Sequence, residues 1–219
     1  IIPISAREGD CVTGASENMA WYKGPSILEA LDHFKLKPKD VELPLRMPVQ
    51  DVYKFDERRL IVGRLESGKL TVGDEVLFSP INRAVKVESI ETWPEKKVDE
   101  VYAGQSVAVT LNEQIFVERG HVLSHDANAP MLTNIFRAKL FWLGESPIQV
   151  GSRYKMKLNT SEYQVEVKEI ENVVDTDDLA IAGAADKVEK NAVAEIVLRV
   201  RGIAALDPFQ NNSITGRFV

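Results

Sequence analysis

Apolar and polar residues alternate with a period of two over most of the chain after residue 45. Val107, Val109 and Leu111 alternate with Ala108 and Thr110, and Ala194, Ile196, Leu198 and Val200 make the cleanest such run. Successive side chains of a strand point to opposite faces, so this spacing predicts strands with one buried face. The same texture recurs at Val85, Val87 and Ile90, at Phe136, Ala138, Leu140 and Trp142, at Tyr154, Met156 and Leu158, and from Val165 and Val167 towards Val173. Turn signals punctuate the runs at Ser67-Gly68, Val72-Gly73-Asp74, Ser79-Pro80, Ala103-Gly104 and Arg119-Gly120. Short strands at this spacing predict a mainly β fold of two consecutive antiparallel barrels, closed or nearly closed, over residues 41–128 and 129–219. The junction between them falls at residues 126–130. Ala194, Ile196, Leu198 and Val200 are expected to face inwards, with Glu195, Val197, Arg199 and Arg201 outwards or towards a neighbour, Val197 against the other barrel or residues 1–40.

Residues 1–40 read differently. Ile1-Ile2-Pro3-Ile4 looks like a buried opening strand, followed by a polar loop through Tyr22. Gly24-Pro25-Ser26 then precedes Ile27, Leu28, Ala30, Leu31 and Phe34, apolar at spacings of three and four, which predicts one short amphipathic helix. Residues 35–44 read as a linker. The chain opens on an apolar run and closes on Arg217-Phe218-Val219, a strand in mid-run, so a piece of a longer protein is expected.

Composition narrows the function. The 219 residues are 44% hydrophobic and 27% charged, with a net charge of -6. An acidic balance with no cluster of Lys or Arg argues against a protein living on nucleic-acid phosphates. Cys11 is the only cysteine, which rules out an internal disulfide. No apolar run approaches the ~20 residues that span a bilayer, and no secretion signal opens the chain, so a cytoplasmic protein is expected.

Candidate chemistry is sparse. Gly63-Arg64-Leu65-Glu66-Ser67-Gly68-Lys69 matches a phosphate loop up to its last position, where Leu70 replaces the hydroxyl that would hold magnesium. A strand, Glu75-Val76-Leu77-Phe78, follows where a helix is needed, so a hairpin turn is predicted. His121 and His125 have the spacing of a helical metal pair but fall in strand and loop. Asp175-Thr176-Asp177-Asp178 lacks the Gly and distal Glu of an EF-hand. No catalytic residue and no metal ligand is assigned.

The residues themselves carry a resemblance over nearly the whole chain. Ile2-Pro3-Ile4-Ser5-Ala6 resembles the last strand and fifth guanine-nucleotide motif of translational GTPases. Met19-Ala20-Trp21-Tyr22-Lys23-Gly24-Pro25 and Leu28-Glu29-Ala30-Leu31 continue it into the final GTPase helix. Leu45-Arg46-Met47-Pro48-Val49-Gln50-Asp51-Val52-Tyr53 resembles the opening of the second domain of elongation factor one-alpha, and the segment from Val62 to Asp74 the turn that follows. Leu206-Asp207-Pro208-Phe209-Gln210-Asn211-Asn212-Ser213-Ile214-Thr215-Gly216-Arg217-Phe218 is similar to the GTPase subunit of bacterial sulfate adenylyltransferase. So are Leu111-Asn112-Glu113-Gln114-Ile115 and Trp142-Leu143-Gly144-Glu145-Ser146-Pro147. Gln50 to Tyr53 and Ser79-Pro80-Ile81-Asn82 lean towards elongation factor one-alpha, and the subfamily stays open.

The resemblance implies that residues 1–40 are the end of a GTPase domain, a short αβ remnant in which Ser5 and Ala6 would contact guanine once that domain is complete. It implies a parent that uses GTP and magnesium to drive formation of adenylyl sulfate from ATP and sulfate, while this piece holds no cofactor of its own. The implied partners are a small catalytic subunit, the parent's own GTPase domain and, in some members, a fused adenylyl-sulfate kinase domain. The rival implication is the tRNA-gripping barrels of a translation factor.

Overall fold

The computed structural model describes residues 1–34, 40–55, 58–93, 96–174 and 185–219, and the chain divides into two compact units, Ile1–Pro38 and Lys39–Val219.

In the smaller unit the predicted helix forms as α1 (Ile27–Asp32). Ser26 caps it: its Oγ accepts from the Glu29 amide at 3.3 Å, while the Glu29 carboxylate accepts from the Ser26 amide at 2.8 Å. This reciprocal box satisfies two of the donors that a helix start leaves open. The helix stops two residues short of Phe34, where the pattern tightens: His33 still bonds the Glu29 carbonyl, but the Phe34 amide bonds the Leu31 carbonyl at 3.1 Å. The expected opening strand is absent. Residues 1–4 form no ladder, Ile1 and Ile4 are exposed, and the first backbone pairing is the isolated bridge between Ser5 and Asp10. A strand with no neighbour leaves its backbone donors and acceptors to water, and apolar side chains alone do not impose the conformation.

The larger unit begins with β1 (Met47–Phe55) and β2 (Arg58–Arg64), an antiparallel pair. Next come β3 (Lys69–Thr71), β4 (Glu75–Ser79), β5 (Arg83–Thr92), β6 (Lys96–Val98), β7 (Glu100–Tyr102), β8 (Ser106–Leu111) and β9 (Val122–Ser124). The pairing runs β1-β2-β8-β5-β4-β9 and returns to β1, a closed six-stranded barrel, with β6 on β5 and β3 paired to β7. Closure removes the bare edges that an open sheet would offer to other chains. The interior is filled by alternating residues, including Met47, Val49, Leu65, Val76, Phe78, Ile90, Val109 and Leu123.

Residues 63–70 do not form the expected hairpin. Arg64 ends β2, which pairs with β1 and β8, whereas Lys69 starts β3, which pairs with β7. The segment therefore carries the chain from one sheet to another. Both glycines serve packing: a Cβ on Gly63 would lie 2.6 Å from the Pro48 carbonyl oxygen, and one on Gly68, at φ +77°, 2.6 Å from the Leu45 Cα. Leu70, where a phosphate loop needs its hydroxyl, is fully buried in the barrel core.

After a short 3-10 turn (Asp126–Asn128) the second barrel domain starts at β10 (Met131–Phe141), and among the described residues no ladder closes its strands into a ring. It continues through β11 (Ile148–Gln149), β12 (Arg153–Leu158), β13 (Ser161–Val174), β14 (Lys187–Val188) and β15 (Val193–Leu206). Four strands pair in the order β10-β15-β13-β12, β11 pairs with β14, and Phe218 bridges Leu158 on β12. Along β15, Ala194, Ile196, Leu198 and Val200 are buried, while Glu195 and Val197 are half-buried and Arg199 and Arg201 exposed. The acidic run at 175–178 lies outside the described residues.

Candidate functional site

The residues expected at the guanine ring sit on a tight loop of the smaller unit. Gly9, at φ +81°, lets the chain reverse so that the Ser5 amide reaches the Asp10 carbonyl at 3.3 Å and the Gly9 amide the Ser5 carbonyl at 2.8 Å. The Ser5 hydroxyl accepts from the Glu8 amide at 3.3 Å. Ala6 and Arg7 are exposed at the crown of the loop. Asp10 steadies the far side by accepting from Ser16 Oγ at 2.5 Å and Asn18 Nδ2 at 3.1 Å. Cys11 is buried beside Met19, and the amides of Ile27 and Leu28 bond the Cys11 and Val12 carbonyls, which fixes the loop to the start of α1.

His121 and His125 part company. His121 Nδ1 accepts from the Glu118 amide at 3.2 Å, and burial pushes its imidazole below the ordinary value against the opposing charge of Glu118. His125 Nε2 lies 3.1 Å from Asp74 Oδ2. Among the described residues no three His, Cys, Asp or Glu side chains gather as a metal site.

A buried set of polar contacts lies where the two barrels meet. Arg46 stands between Leu45 and Met47, at the mouth of β1, yet its side chain is only 4% exposed. Its Nε and Nη2 hold the two oxygens of Asp207 at 2.8 and 2.7 Å, a parallel fork that matches the carboxylate plane. Its Nη1 donates to the carbonyls of Leu45 and Asn128 at 2.8 and 2.7 Å. Asp207, 9% exposed, also accepts from Thr215 Oγ1 at 2.6 Å. Asn212 donates to Ser67 Oγ at 2.8 Å, and Ser67 Oγ donates in turn to the Pro44 carbonyl at 2.6 Å. Burying charges is costly unless each is paired and hydrogen-bonded, and here each is.

A second set of contacts lies further along β1. The register of β1 against β2 slips between Val49 and Asp51, so Gln50 is bulged out. A bulged residue is left out of the ladder, and the Gln50 carbonyl takes Arg119 Nη1 at 3.1 Å. Arg119 Nε also reaches the Thr160 carbonyl at 3.2 Å, Thr160 Oγ1 donates to the Val49 carbonyl at 2.8 Å, and Ser161 Oγ to the Gly120 carbonyl at 2.9 Å. None of these roles is visible in the sequence pattern. The one local signal is a lone charge among apolar residues, Arg46 in Leu-Arg-Met and Asp207 in Ala-Leu-Asp.

The model of the GTP-eEF1A C-terminal domain-like family matches residues 135–219. Sulfate adenylyltransferase subunit 1 of Shewanella oneidensis is 34% identical over 223 residues, covering 100% of this chain and 46% of the relative. The bifunctional enzyme NodQ of Rhizobium sp. strain N33 is 32% identical, covering 100% of this chain and 34% of the relative. Elongation factor 1-alpha of Saccharolobus solfataricus is 40% identical over 142 residues, covering 64% of this chain and 32% of the relative. Among solved structures, Sup35 complexed with GMPPNP superposes with a TM-score of 0.76 at 25% identity, covering 99% of this chain and 54% of that one. The chain thus spans about half the length, or less, of the proteins it matches. With its closed barrel, its second barrel and these matches, the chain belongs to the elongation-factor-1-alpha-like GTPase family, which includes sulfate adenylyltransferase subunit 1.

Proposed function

We propose that this chain is the barrel region of a sulfate adenylyltransferase GTPase subunit, and that it couples GTP hydrolysis elsewhere in the parent to synthesis of adenylyl sulfate. The observation that carries this is the end-to-end match: subunit 1 of the Shewanella enzyme aligns with the whole of this chain, whereas elongation factors 1-alpha align with 64% and 77% of it. On this reading residues 1–40 close the GTPase domain, and residues 41–128 and 129–219 are its second and third domains. Ser5 and Ala6 present their loop to the guanine ring of GTP. GTP and magnesium belong to the parent, which works in the cytoplasm with a small catalytic subunit. The bifunctional relative favours a parent that in some forms carries a fused adenylyl-sulfate kinase.

The barrels contribute no catalytic group here. Their work is mechanical: they present a surface to the catalytic partner, and that surface shifts when the nucleotide changes, as in other rigid-body switches. A second reading has an observation of its own. The 40% identity to elongation factor 1-alpha over 142 residues suits barrels that grip tRNA. Co-expression with a small adenylyltransferase subunit, followed by affinity purification, separates the two. Stoichiometric recovery of the small subunit, with no tRNA retained in filter binding, is the expected result. Saturable tRNA retention without the subunit overturns the sulfate reading.

A further inference from the structure

In the smaller unit one residue closes two turns at once. Through its backbone Asp10 holds loop 5–10, since its carbonyl takes the Ser5 amide at 3.3 Å. Through its side chain it holds the next loop, where Oδ1 accepts from Ser16 Oγ at 2.5 Å and from Asn18 Nδ2 at 3.1 Å. Ser16 is fixed in turn, because its Oγ accepts from the Asn18 amide at 3.1 Å and caps the 3-10 turn Glu17–Met19. The residue after Asp10 is anchored as well: Cys11 is buried, stands at φ +55°, and its carbonyl takes the Ile27 amide at 3.0 Å. A residue other than glycine keeps that conformation only where its surroundings impose it. Residues 6–9, in contrast, are all exposed. We infer that Asp10 is a positioning residue for nucleotide binding, which ties loop 5–10 to loop 16–18 and so sets where Ser5 and Ala6 stand; this rests on the reading of those two residues as the guanine contact.

An exposed crown has no packed side chain to fix it, so its position is inherited from its stem. A ligand that needs one loop arrangement binds with an affinity reduced by the fraction of time the loop spends elsewhere. A stem that holds the arrangement in advance spares the ligand that ordering cost. A carboxylate suits the task, because hydrogen bonds to a charged acceptor are shorter and roughly twice as strong as neutral ones. Both donors go to the same oxygen, so an amide at this position keeps an acceptor and loses only the charge. Without the side chain, the turn around Gly9 keeps its own backbone bonds but swings as a unit.

The test has two arms. On this chain, amide exchange by NMR reads the loop itself: Asp10→Ala should speed exchange of the Ser5 amide at least about fivefold and leave the Ala30 amide of α1 within about twofold. On the full-length parent subunit, titration with fluorescent GDP reads affinity and the number of sites. Asp10→Ala should weaken GDP about tenfold and Asp10→Asn about threefold, both still at one site per chain. Ser16→Ala should weaken it too, and the double variant with Asp10→Ala should be no worse than Asp10→Ala alone. Glu17→Gln, which removes the same charge nearby, should stay within about twofold. Ala6→Leu alters the crown directly and reports whether the loop meets the nucleotide. A weakened Ala6→Leu beside an unchanged Asp10→Ala overturns the inference and leaves the guanine reading standing; unchanged affinity in both overturns the two together. Fewer sites at unchanged affinity, additive losses in the double variant, or equal acceleration at Ser5 and Ala30 make Asp10 merely structural and also overturn the inference.

Discussion

At the scale of residues, backbone space sets apart two glycines, Gly216 beside Asp207 and Gly73 in the turn between β3 and β4. Gly216 has ordinary backbone angles, but a Cβ there meets backbone atoms of Asp207, Asn212 and Phe209 between 2.6 and 2.8 Å. Backbone cannot step aside as a flexible side chain can. Gly73, at φ +91°, has nothing within 4 Å of an added Cβ. Gly216→Ala should therefore cost about 2–3 kcal/mol, against about 1 kcal/mol for Gly73→Ala, measured by urea unfolding. Equal losses at the two sites would show that the backbone around Gly216 yields. Glu29 gives a second residue-scale prediction. Hydrogen bonds from the Ser26 amide and then its hydroxyl hold the Glu29 carboxyl below its ordinary value of 4.5. A carboxyl with a depressed folded value stabilises the fold above its unfolded value, and that contribution fades as pH falls through the folded one. An NMR titration should find the Glu29 midpoint below that of an unstructured peptide, with the Ser26 amide signal moving in the same pH window.

At the scale of elements, period-two spacing was a sound guide and end signals were not. Ala194, Ile196, Leu198 and Val200 are buried in turn because one face of β15 covers the second core, and that alternation is written in the sequence. Leu198→Ala should cost about 2–5 kcal/mol, while Arg199→Ala on the opposite face should stay within about 0.5 kcal/mol, by chemical denaturation. The opening apolar run misled because a strand depends on a neighbour that the run itself does not specify. The segment at 63–70 misled because turn residues show where a chain bends and not which sheet it bends into. Arg46 and Asp207 lie within longer motifs but have no recognisable role in the sequence, since they stand 161 positions apart and only the fold brings them together. The six residues of α1 are too few to hold a helix alone, so a peptide of residues 1–34 should show little helicity by circular dichroism.

At the scale of the whole molecule, the proposed function makes the polypeptide a mechanical part rather than a nucleotide switch in itself. Leu70 packs inside the first barrel, and residues 63–69 serve as a link between sheets. Titration calorimetry with magnesium and GTP should accordingly give no saturable heat; micromolar affinity would reverse that reading of the segment. Family membership was legible because stretches such as Leu45 to Tyr53 keep their order along the chain. The joint between barrels was not, because it is made of single residues drawn from distant stretches.

The distance between Arg46 and Asp207 along the chain also matters while the protein is being made. The first barrel can close once β9 has emerged to pair with β1 and β4. Its arginine must then wait for a carboxylate encoded 161 residues downstream of it. Only the 83 residues from Ser124 to Asp207 are made after β9 is complete, and at about 5–20 residues per second they take roughly 4 to 17 s. For that interval a nascent chain carries a finished apolar core and an unneutralised cation at its mouth. A ribosome that stalls between Ser124 and Asp207 would hold a first barrel that is folded but electrically incomplete.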